Sequence, residues 1–202
     1  MAPQSARFRP SFGLVNGRPL FLDLDDDSYF LLEPAEEARL LAALAAGPSD
    51  NDLLPVHCMC PRRESVHSDG ISARIALGDM VHVWWTVRRI RRGLARRKLA
   101  ELIDAISRAH PRSGTPSKTP NAGILAARFQ LVRRWLPQVP NCLSDSLALL
   151  LFLKGHGTSA ELVFGAKLDP FAAHCWIQAD DLLLNDRIDR IEGFTAVGVV
   201  AG

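Results

Sequence analysis

The stretch CLSDSLALLLFLKG, residues 142–155, constrains the fold more than any other part of the sequence. It is apolar on nearly every side, and a helix without a polar face belongs inside a protein rather than on its surface. Gly155 stops the pattern, and Asn141 is a good N-terminal cap. The sequence therefore predicts a buried central helix that begins at Cys142.

Strand-like segments follow this helix along the chain. Ala160 to Gly165 and Phe194 to Val200 each predict a strand, and PFAAHCWIQADDLLLND, residues 170–186, predicts a hairpin. Further helices are predicted over residues 76–109 and 122–136. Helices first and an antiparallel sheet after them indicate an α+β domain.

The first third of the chain predicts a small three-stranded meander and then a helix. Asn16-Gly17 is a strong signal for a tight hairpin turn. The helix PAEEARLLAALAAG has Pro34 in its first turn and Gly47 at its end. The predicted strands are residues 12–15, 18–24 and 28–32.

The chain divides into three predicted parts. Its 202 residues, 48% of them apolar, suit one or two globular domains. Pro111 to Pro120 indicates a linker or long loop, and Ser49 to Asp52 could cap a short helix. We divide the chain into residues 1–75, a helical connector and linker over 76–120, and a core over 121–202, on which the connector helices should pack.

Cys142 is the first candidate for chemistry, because it lies in the first turn of the predicted buried helix. Free amide donors and the helix dipole favour a thiolate there. A small residue that simply packs at a helix start is the alternative. The four cysteines are few and irregularly spaced, which indicates reduced thiols in a cytoplasm.

The predicted hairpin carries a histidine and an aspartate that can meet. Side chains alternate along a strand, so His174 and Cys175 face opposite ways. A three-residue loop, Ala179 to Asp181, places His174 opposite Asp186, with Cβ atoms about 5 Å apart. A two-residue turn at Asp180-Asp181 instead sets Asp186 opposite Cys175, on the wrong face. The pairing therefore depends on the register.

A histidine that an aspartate orients can activate a thiol. Strand alternation excludes Cys175, whose side chain should point away from such a site, and leaves Cys142 as the nucleophile. Taken singly, His174 is explained as a partly buried strand residue and Asp186 as a turn residue. The order of a cysteine helix, a histidine strand, a turn and an aspartate strand is more specific.

Other features indicate neither a metal nor a membrane. Arg88 to Lys98 holds seven basic residues in eleven and could bind phosphates, an acidic peptide or a partner protein, although a solvated helix face is the simpler alternative. His57, Cys58, Cys60 and His67 lack the usual zinc spacing, so no metal or cofactor is expected. No apolar run reaches about 18 residues, and no signal peptide is evident.

The C-terminal part of the chain resembles the transglutaminase-like cysteine peptidase domain of lasso-peptide maturation B proteins. The resemblance is carried by CLSDSLALLLFLKGHG, AELVFGA and PFAAHCWIQADDLLLND. It implies a transglutaminase-like, papain-like fold. It also implies Cys142 as nucleophile, His174 as base and Asp186 as the acid that orients the base.

The chain departs from that family pattern at three positions outside the triad. The residue after the motif's histidine is usually alanine and here is Cys175, Gln178 stands where glutamate is common, and Asp145 stands where a basic residue is frequent. These departures bear on substrate preference. The backbone N–H of Cys142 is the expected oxyanion donor, and Gln138 is the candidate for a second one.

The predicted meander and helix, with LFLDLDDDSYFLLEP, resemble the small winged-helix module that recognises leader peptides in ribosomal peptide biosynthesis. Such modules bind a leader as an added strand beside their third strand. The resemblance implies that residues 1–75 bind the leader; a structural cap on the catalytic domain is the alternative. The implied leader-binding residues are Ser28, Tyr29, Phe30, Leu31 and Leu32.

Together these resemblances imply a bacterial, cytoplasmic cysteine peptidase that cuts the leader from a lasso precursor peptide. The core peptide would pass to an asparagine-synthetase-like cyclase, which closes the ring. No nucleic acid is then expected as a partner. Two alternatives stay open: a transglutaminase-like acyltransferase or amidase on another substrate, and a winged-helix regulator that binds nucleic acid.

Overall fold

The computed structural model describes residues 10–47, 54–65, 76–109 and 122–201. Three predictions concern residues outside these ranges: the short helix at Ser49 to Asp52, the linker at Pro111 to Pro120, and the metal ligand considered at His67. The described residues form a mixed α+β architecture. None of the described helices is both long enough and apolar enough to cross a membrane.

The predicted three-stranded meander is confirmed. It consists of β1 (Ser11–Val15), β2 (Arg18–Asp23) and β3 (Ser28–Leu31), which pair antiparallel in that order. Asn16 and Gly17 take φ values of 52° and 78°, as a tight hairpin turn requires. α1 (Pro34–Ala46) follows, and none of its residues is buried. The likeness of this module to a winged helix stays a prediction.

The apolar helix lies at the centre of the molecule, as the sequence predicts. The helices after the meander are α2 (Leu77–Leu94), α3 (Leu99–Ser107), α4 (Ala122–Arg133) and α5 (Cys142–Gly155). α5 is buried without a break from Ser146 to Leu153, with α2, α3 and α4 packed against it. Residues 95–98, just after Gly93, divide the predicted helical stretch 76–109 into α2 and α3.

The second sheet is mixed, which corrects the expected antiparallel sheet. Its described strands are β4 (Arg63–Glu64), β5 (Glu161–Lys167), β6 (Ala172–Ala179), β7 (Leu182–Leu183) and β8 (Thr195–Ala201), and α6 (Ile188–Ile191) lies between the last two. The order is β4-β7-β6-β5-β8, with β4 parallel to β7. Arg63 holds β4 there, since its backbone N–H and its guanidinium both bind Asp181. A two-residue strand carries no periodic signal, so the sequence did not predict β4.

The meander packs directly on the second sheet through β1 and β8. A Cβ atom on Gly13 would lie 2.1 Å from the carbonyl oxygen of Ala196, so only glycine permits this approach. Val15, Leu20 and Leu22 of the meander belong to the same apolar core as α5. The N-terminal sheet and the helices around α5 therefore share one continuous core.

Candidate active site

The hairpin between β6 and β7 has a two-residue turn, Asp180-Asp181, so the three-residue loop on which the predicted pairing of His174 with Asp186 depended does not form. Ala179 pairs with Leu182 and Gln178 with Leu183. Asp180 adopts a left-handed φ of 52°, which a short aspartate tolerates better than most residues. Continued further, this register would place Asp186 on the face away from the histidine.

Asp186 nevertheless reaches His174, because the strand pairing ends early. The backbone N–H of Leu184 still donates to the carbonyl of Ile177 at 2.9 Å. The next bond is different: the side-chain oxygen of Asn185, not a backbone carbonyl, accepts from the Ile177 N–H at 2.7 Å. The chain then leaves β6, and Asp186 Oδ2 lies 2.5 Å from His174 Nε2. The predicted contact is present for a reason other than the one predicted.

The early end of β7 also leaves the backbone of β6 unpaired on that side at Cys175, and α5 fills the gap. Ser146 Oγ donates to the Cys175 carbonyl at 3.3 Å. The Cys175 N–H donates to the sulfur of Cys142. Asn185 Nδ2 donates to Ser146 Oγ at 2.8 Å, which ties the departing chain to the same helix. The start of α5 is therefore docked on the open edge of β6.

Cys142 is the first residue of α5 and is exposed to solvent. The side chain of Asn141 accepts from the Ser144 N–H at 3.0 Å, as a helix cap does. Buried Arg133 donates to Asp145 at 2.9 Å and to the Gln138 carbonyl at 3.2 Å. Arg133 of α4 thus pairs with the charge of Asp145 and holds the segment that leads into the cysteine. A role for Gln138 as second oxyanion donor stays a prediction.

The electrostatics make Cys142 and His174 an ion pair. Hydrogen bonds from Cys175 and His174 lower the pKa of the Cys142 thiol to about 4, against the opposing effect of burial. Hydrogen bonds to Asp186 and Cys142 raise the pKa of His174 to about 9. At neutral pH the site therefore holds a thiolate and an imidazolium. Because Nε2 faces Asp186, Nδ1 is the ring nitrogen left for Cys142.

Asp186 stays ionised in this arrangement. Burial raises the pKa of its carboxyl group, but the hydrogen bonds from His174 and from the Arg187 N–H outweigh burial and hold it below its ordinary value. Arg190 adds a positive charge 3.8 Å away. A carboxylate that stays charged keeps the Nε2 proton on the ring and so fixes the orientation of the imidazole.

The prediction that the Cys175 side chain points away from the site is wrong. Strand alternation does turn Cys175 away from the His174 side chain, but it turns it toward α5, whose first residue is Cys142. The Cys175 thiol is buried, is hydrogen-bonded to the sulfur of Cys142, and lies 3.9 Å from Ser146 Oγ. The hydrogen bond to Cys142 and burial raise the pKa of Cys175 well above its usual value. It therefore acts as a protonated donor.

Tyr29 lies closer to this site than the sequence indicated. Its ring meets Phe171 edge-on at 5.8 Å between centroids, three residues before His174. Burial raises the pKa of the Tyr29 phenol, and the nearby negative charges of Asp27 and Cys142 raise it further. No local pattern could have shown this, because the contact joins the meander to the second sheet.

The remaining leader-binding candidates lie on or just after β3. Ser28, Phe30 and Leu31 are exposed, whereas Tyr29 and Leu32 are half-buried. Within the described chain β3 is the outer strand of the meander, with β2 on its inner side.

Two further groups of candidates, the basic stretch and the cysteines and histidines before β4, are not part of the triad. The basic stretch from Arg88 is exposed at the end of α2, where Arg88 and Arg89 cover the rings of Trp84 and Trp85 at 5.4 and 5.0 Å. In the described ranges, no three His, Cys, Asp or Glu side chains lie together as metal ligands would.

Comparison with known protein families gives a match. The family model described as the transglutaminase-like superfamily matches residues 84–199, more than half of the chain. The matched range contains Cys142, His174 and Asp186. No curated protein matches the chain, and no solved structure does either.

Proposed function

The chain belongs to the transglutaminase-like superfamily, and we propose that it is a cysteine peptidase that cuts the leader from a ribosomally made lasso precursor peptide. Its transglutaminase-like domain is compatible with a cysteine peptidase or an acyltransferase. The observation that carries the proposal is the exposed Cys142 at a helix start, whose sulfur is hydrogen-bonded to His174. His174 Nε2 in turn lies 2.5 Å from Asp186 Oδ2.

The proposed reaction begins from the ion pair. The Cys142 thiolate attacks the scissile carbonyl carbon, and the backbone N–H groups at the start of α5 stabilise the oxyanion. His174 gives its Nδ1 proton to the leaving amine as the C–N bond breaks, which leaves the leader as a thioester on Cys142. Water then loses a proton to His174 and attacks the thioester, releasing the leader acid and the thiolate. Asp186 holds Nε2–H throughout.

The meander supports the leader-binding part of the proposal. An extended peptide can add as a strand beside an exposed edge such as that of β3, with backbone bonds for affinity and side-chain contacts for specificity. Phe30 and Leu31 are 39% and 36% exposed on that strand. Tyr29, in the same strand, lies next to Phe171 near the thiolate. A leader bound along β3 would therefore lie close to Cys142.

The later steps of the proposal depend on the sequence resemblance alone. The released core peptide would go to an asparagine-synthetase-like cyclase, which would close the ring. No contact in the described residues bears on that partner.

The experiment uses the full chain and a candidate precursor peptide chosen from the short reading frames near its gene, with products followed by mass spectrometry. We expect one cut that separates leader from core, and no cut with Cys142→Ala. Ser107→Ala is the control, because Ser107 is exposed and its carbonyl binds Lys154, at the opposite end of α5 from Cys142. Processing by Cys142→Ala at the wild-type rate would refute the assignment.

The same reaction distinguishes a peptidase from an acyltransferase. In ¹⁸O-labelled water with an added primary amine, hydrolysis puts ¹⁸O into the new carboxylate of the leader. Acyl transfer instead attaches the amine and leaves the leader without label. Amine-linked leader as the main product would favour the acyltransferase alternative.

A further inference from the structure

An apolar pocket of about 380 Å³ lies on the face of the second sheet that α5 does not cover. Trp176 forms part of its wall and belongs to a small apolar cluster separate from the main core. Cys175 and Ile177, its neighbours on β6, face the other way into the core around α5. Other walls come from the sheet, from α6 and the residues after it, and from the segment before β4. They include Met59, Ile188, Ile191, Phe194 and Ala196.

The pocket adjoins the candidate active site. The ring of His174 lies 5.7 Å from that of Phe194 and 6.3 Å from that of Trp176, measured between centroids. Both aromatic rings also line the pocket. The imidazole bonded to Cys142 therefore stands at the edge of the cavity. Successive residues of an extended peptide are about 3.3 Å apart, so a side chain near the scissile bond can reach it.

The lining selects an apolar occupant. Nε1 of Trp176 already donates to Gln178 at 2.9 Å, and the Gln178 amide donates to the Met59 carbonyl at 2.9 Å. These polar groups are therefore occupied by the protein itself. Among the described residues of the lining, the one charged residue is Glu192, which is exposed and lies at the rim. A polar side chain would lose its hydration here without gaining partners.

The rim is open to solvent. Met59 is 60% exposed, and Glu192 and Gly193 are exposed as well. We propose that this pocket binds an apolar side chain of the peptide substrate, within about two residues of the bond that Cys142 attacks. The inference rests on the proposed function, because it needs a peptide carbonyl at Cys142.

The test uses blocked tripeptide vinyl sulfones as probes, since these react with a cysteine nucleophile. The probes differ in one side chain at a time, which is phenylalanine, leucine, asparagine or glycine at each position in turn. The rate of Cys142 labelling is read from the intact protein mass and divided by the rate of iodoacetamide alkylation of the same protein. At one position, we expect leucine or phenylalanine to react at least about tenfold faster than asparagine or glycine.

Two variants change the pocket in opposite directions. Ala196→Phe fills it and should abolish the apolar preference. Ile188→Ala enlarges it and should shift the preference from leucine toward phenylalanine. Ala95→Phe, at the exposed end of α2, is the matched control and should keep the wild-type preference. Because the two pocket variants act differently, a folding defect in one does not prevent the test.

The outcomes separate the two proposals. Rapid labelling of Cys142 without any side-chain preference would overturn the pocket and leave the peptidase proposal standing. The same preference in wild type, Ala196→Phe and Ile188→Ala would also overturn the pocket. If Cys142 reacts with neither iodoacetamide nor the probes, both proposals are overturned.

Discussion

The two ends of β6 differ in what lies beside them. At the C-terminal end, Gln178 and Ala179 pair with β7, and the buried Gln178 amide holds the Met59 carbonyl. At the N-terminal end β7 is no longer alongside, and Cys175 binds Ser146 and Cys142 instead. One strand is thus structural where the pairing continues and carries the candidate site where the pairing stops.

This difference shows how an unpaired strand edge can become a reactive site. Backbone groups inside a protein must find partners, and an edge without a neighbouring strand must find them elsewhere. Here the partners are side chains at the start of α5, one of which is a thiol. The departing chain at the same time brings Asp186 to His174. Stopping the pairing two residues after the turn thus assembles all three groups.

The largest expected effect of any substitution at the open end comes from His174→Ala. We expect cleavage to fall by about 10³-fold or more, because the proton donor for the leaving amine is lost. The pKa of Cys142 should rise, since a hydrogen bond and a positive charge disappear. Iodoacetamide alkylation of Cys142 across pH measures this. Gln178→Leu at the paired end is the contrast, and should lower stability without moving the alkylation curve; an equal shift in both variants would contradict the comparison.

The next effect in size is expected from Asp186→Asn, with cleavage slower by about 100-fold, because proton transfer by His174 is impaired but not lost. The reactive form needs the His174 imidazolium, which is lost as pH rises through about 9. Removing the Asp186 charge lowers the pKa of His174, so the alkaline limit of activity should move down from about 9. The measurement is kcat/KM against pH. An alkaline limit that does not move would show that Asp186 does not set it.

A smaller effect should follow from Asn185→Ala, at the point where pairing stops. The Ile177 N–H loses its acceptor and Ser146 loses a donor. We expect the free energy of unfolding to fall by about 1–3 kcal/mol, as read from urea denaturation. Cleavage should fall by about tenfold, because Asp186 is held less well. Asn185→Asp, which keeps an acceptor for Ile177, should lose less stability than Asn185→Ala; equal losses would argue against this role.

The smallest effect is expected from Cys175→Ala. The reactive thiolate of Cys142 is lost as pH falls through about 4. Without the Cys175 donor the pKa of Cys142 rises, so this acid limit should move up, while cleavage at pH 7 changes little. Alkylation of Cys142 between pH 4 and 7 measures the shift. Cys175→Ser keeps a donor and should shift the limit less; an unmoved limit in Cys175→Ala would remove the thiol from the site.

The sequence predicts the local parts of this comparison well. Alternation along the strand places His174 and Cys175 on opposite faces, and the structure agrees. The turn is where the sequence left two possibilities open, since Asp180-Asp181 fits both a two-residue turn and part of a three-residue loop. The choice between them depends on partners far along the chain. One of these is Arg63, which binds the Asp181 carboxylate and its carbonyl.

The sequence by itself determined the elements whose signals are local. An all-apolar composition with an Asn141 cap places α5 at the centre, and Asn16-Gly17 defines the first hairpin. These signals are local because helix period, capping and tight-turn geometry involve residues at most a few positions apart.

Only the tertiary structure decided where β7 stops, which way the Cys175 thiol faces relative to Cys142, and how near Tyr29 comes. Each depends on contacts between residues far apart in the sequence, and the first two on competition for one partner. Asn185 replaces a backbone carbonyl at Ile177, and α5 takes the edge that a longer β7 would have covered. Such competition is settled by packing of the whole core, which no short stretch of sequence contains.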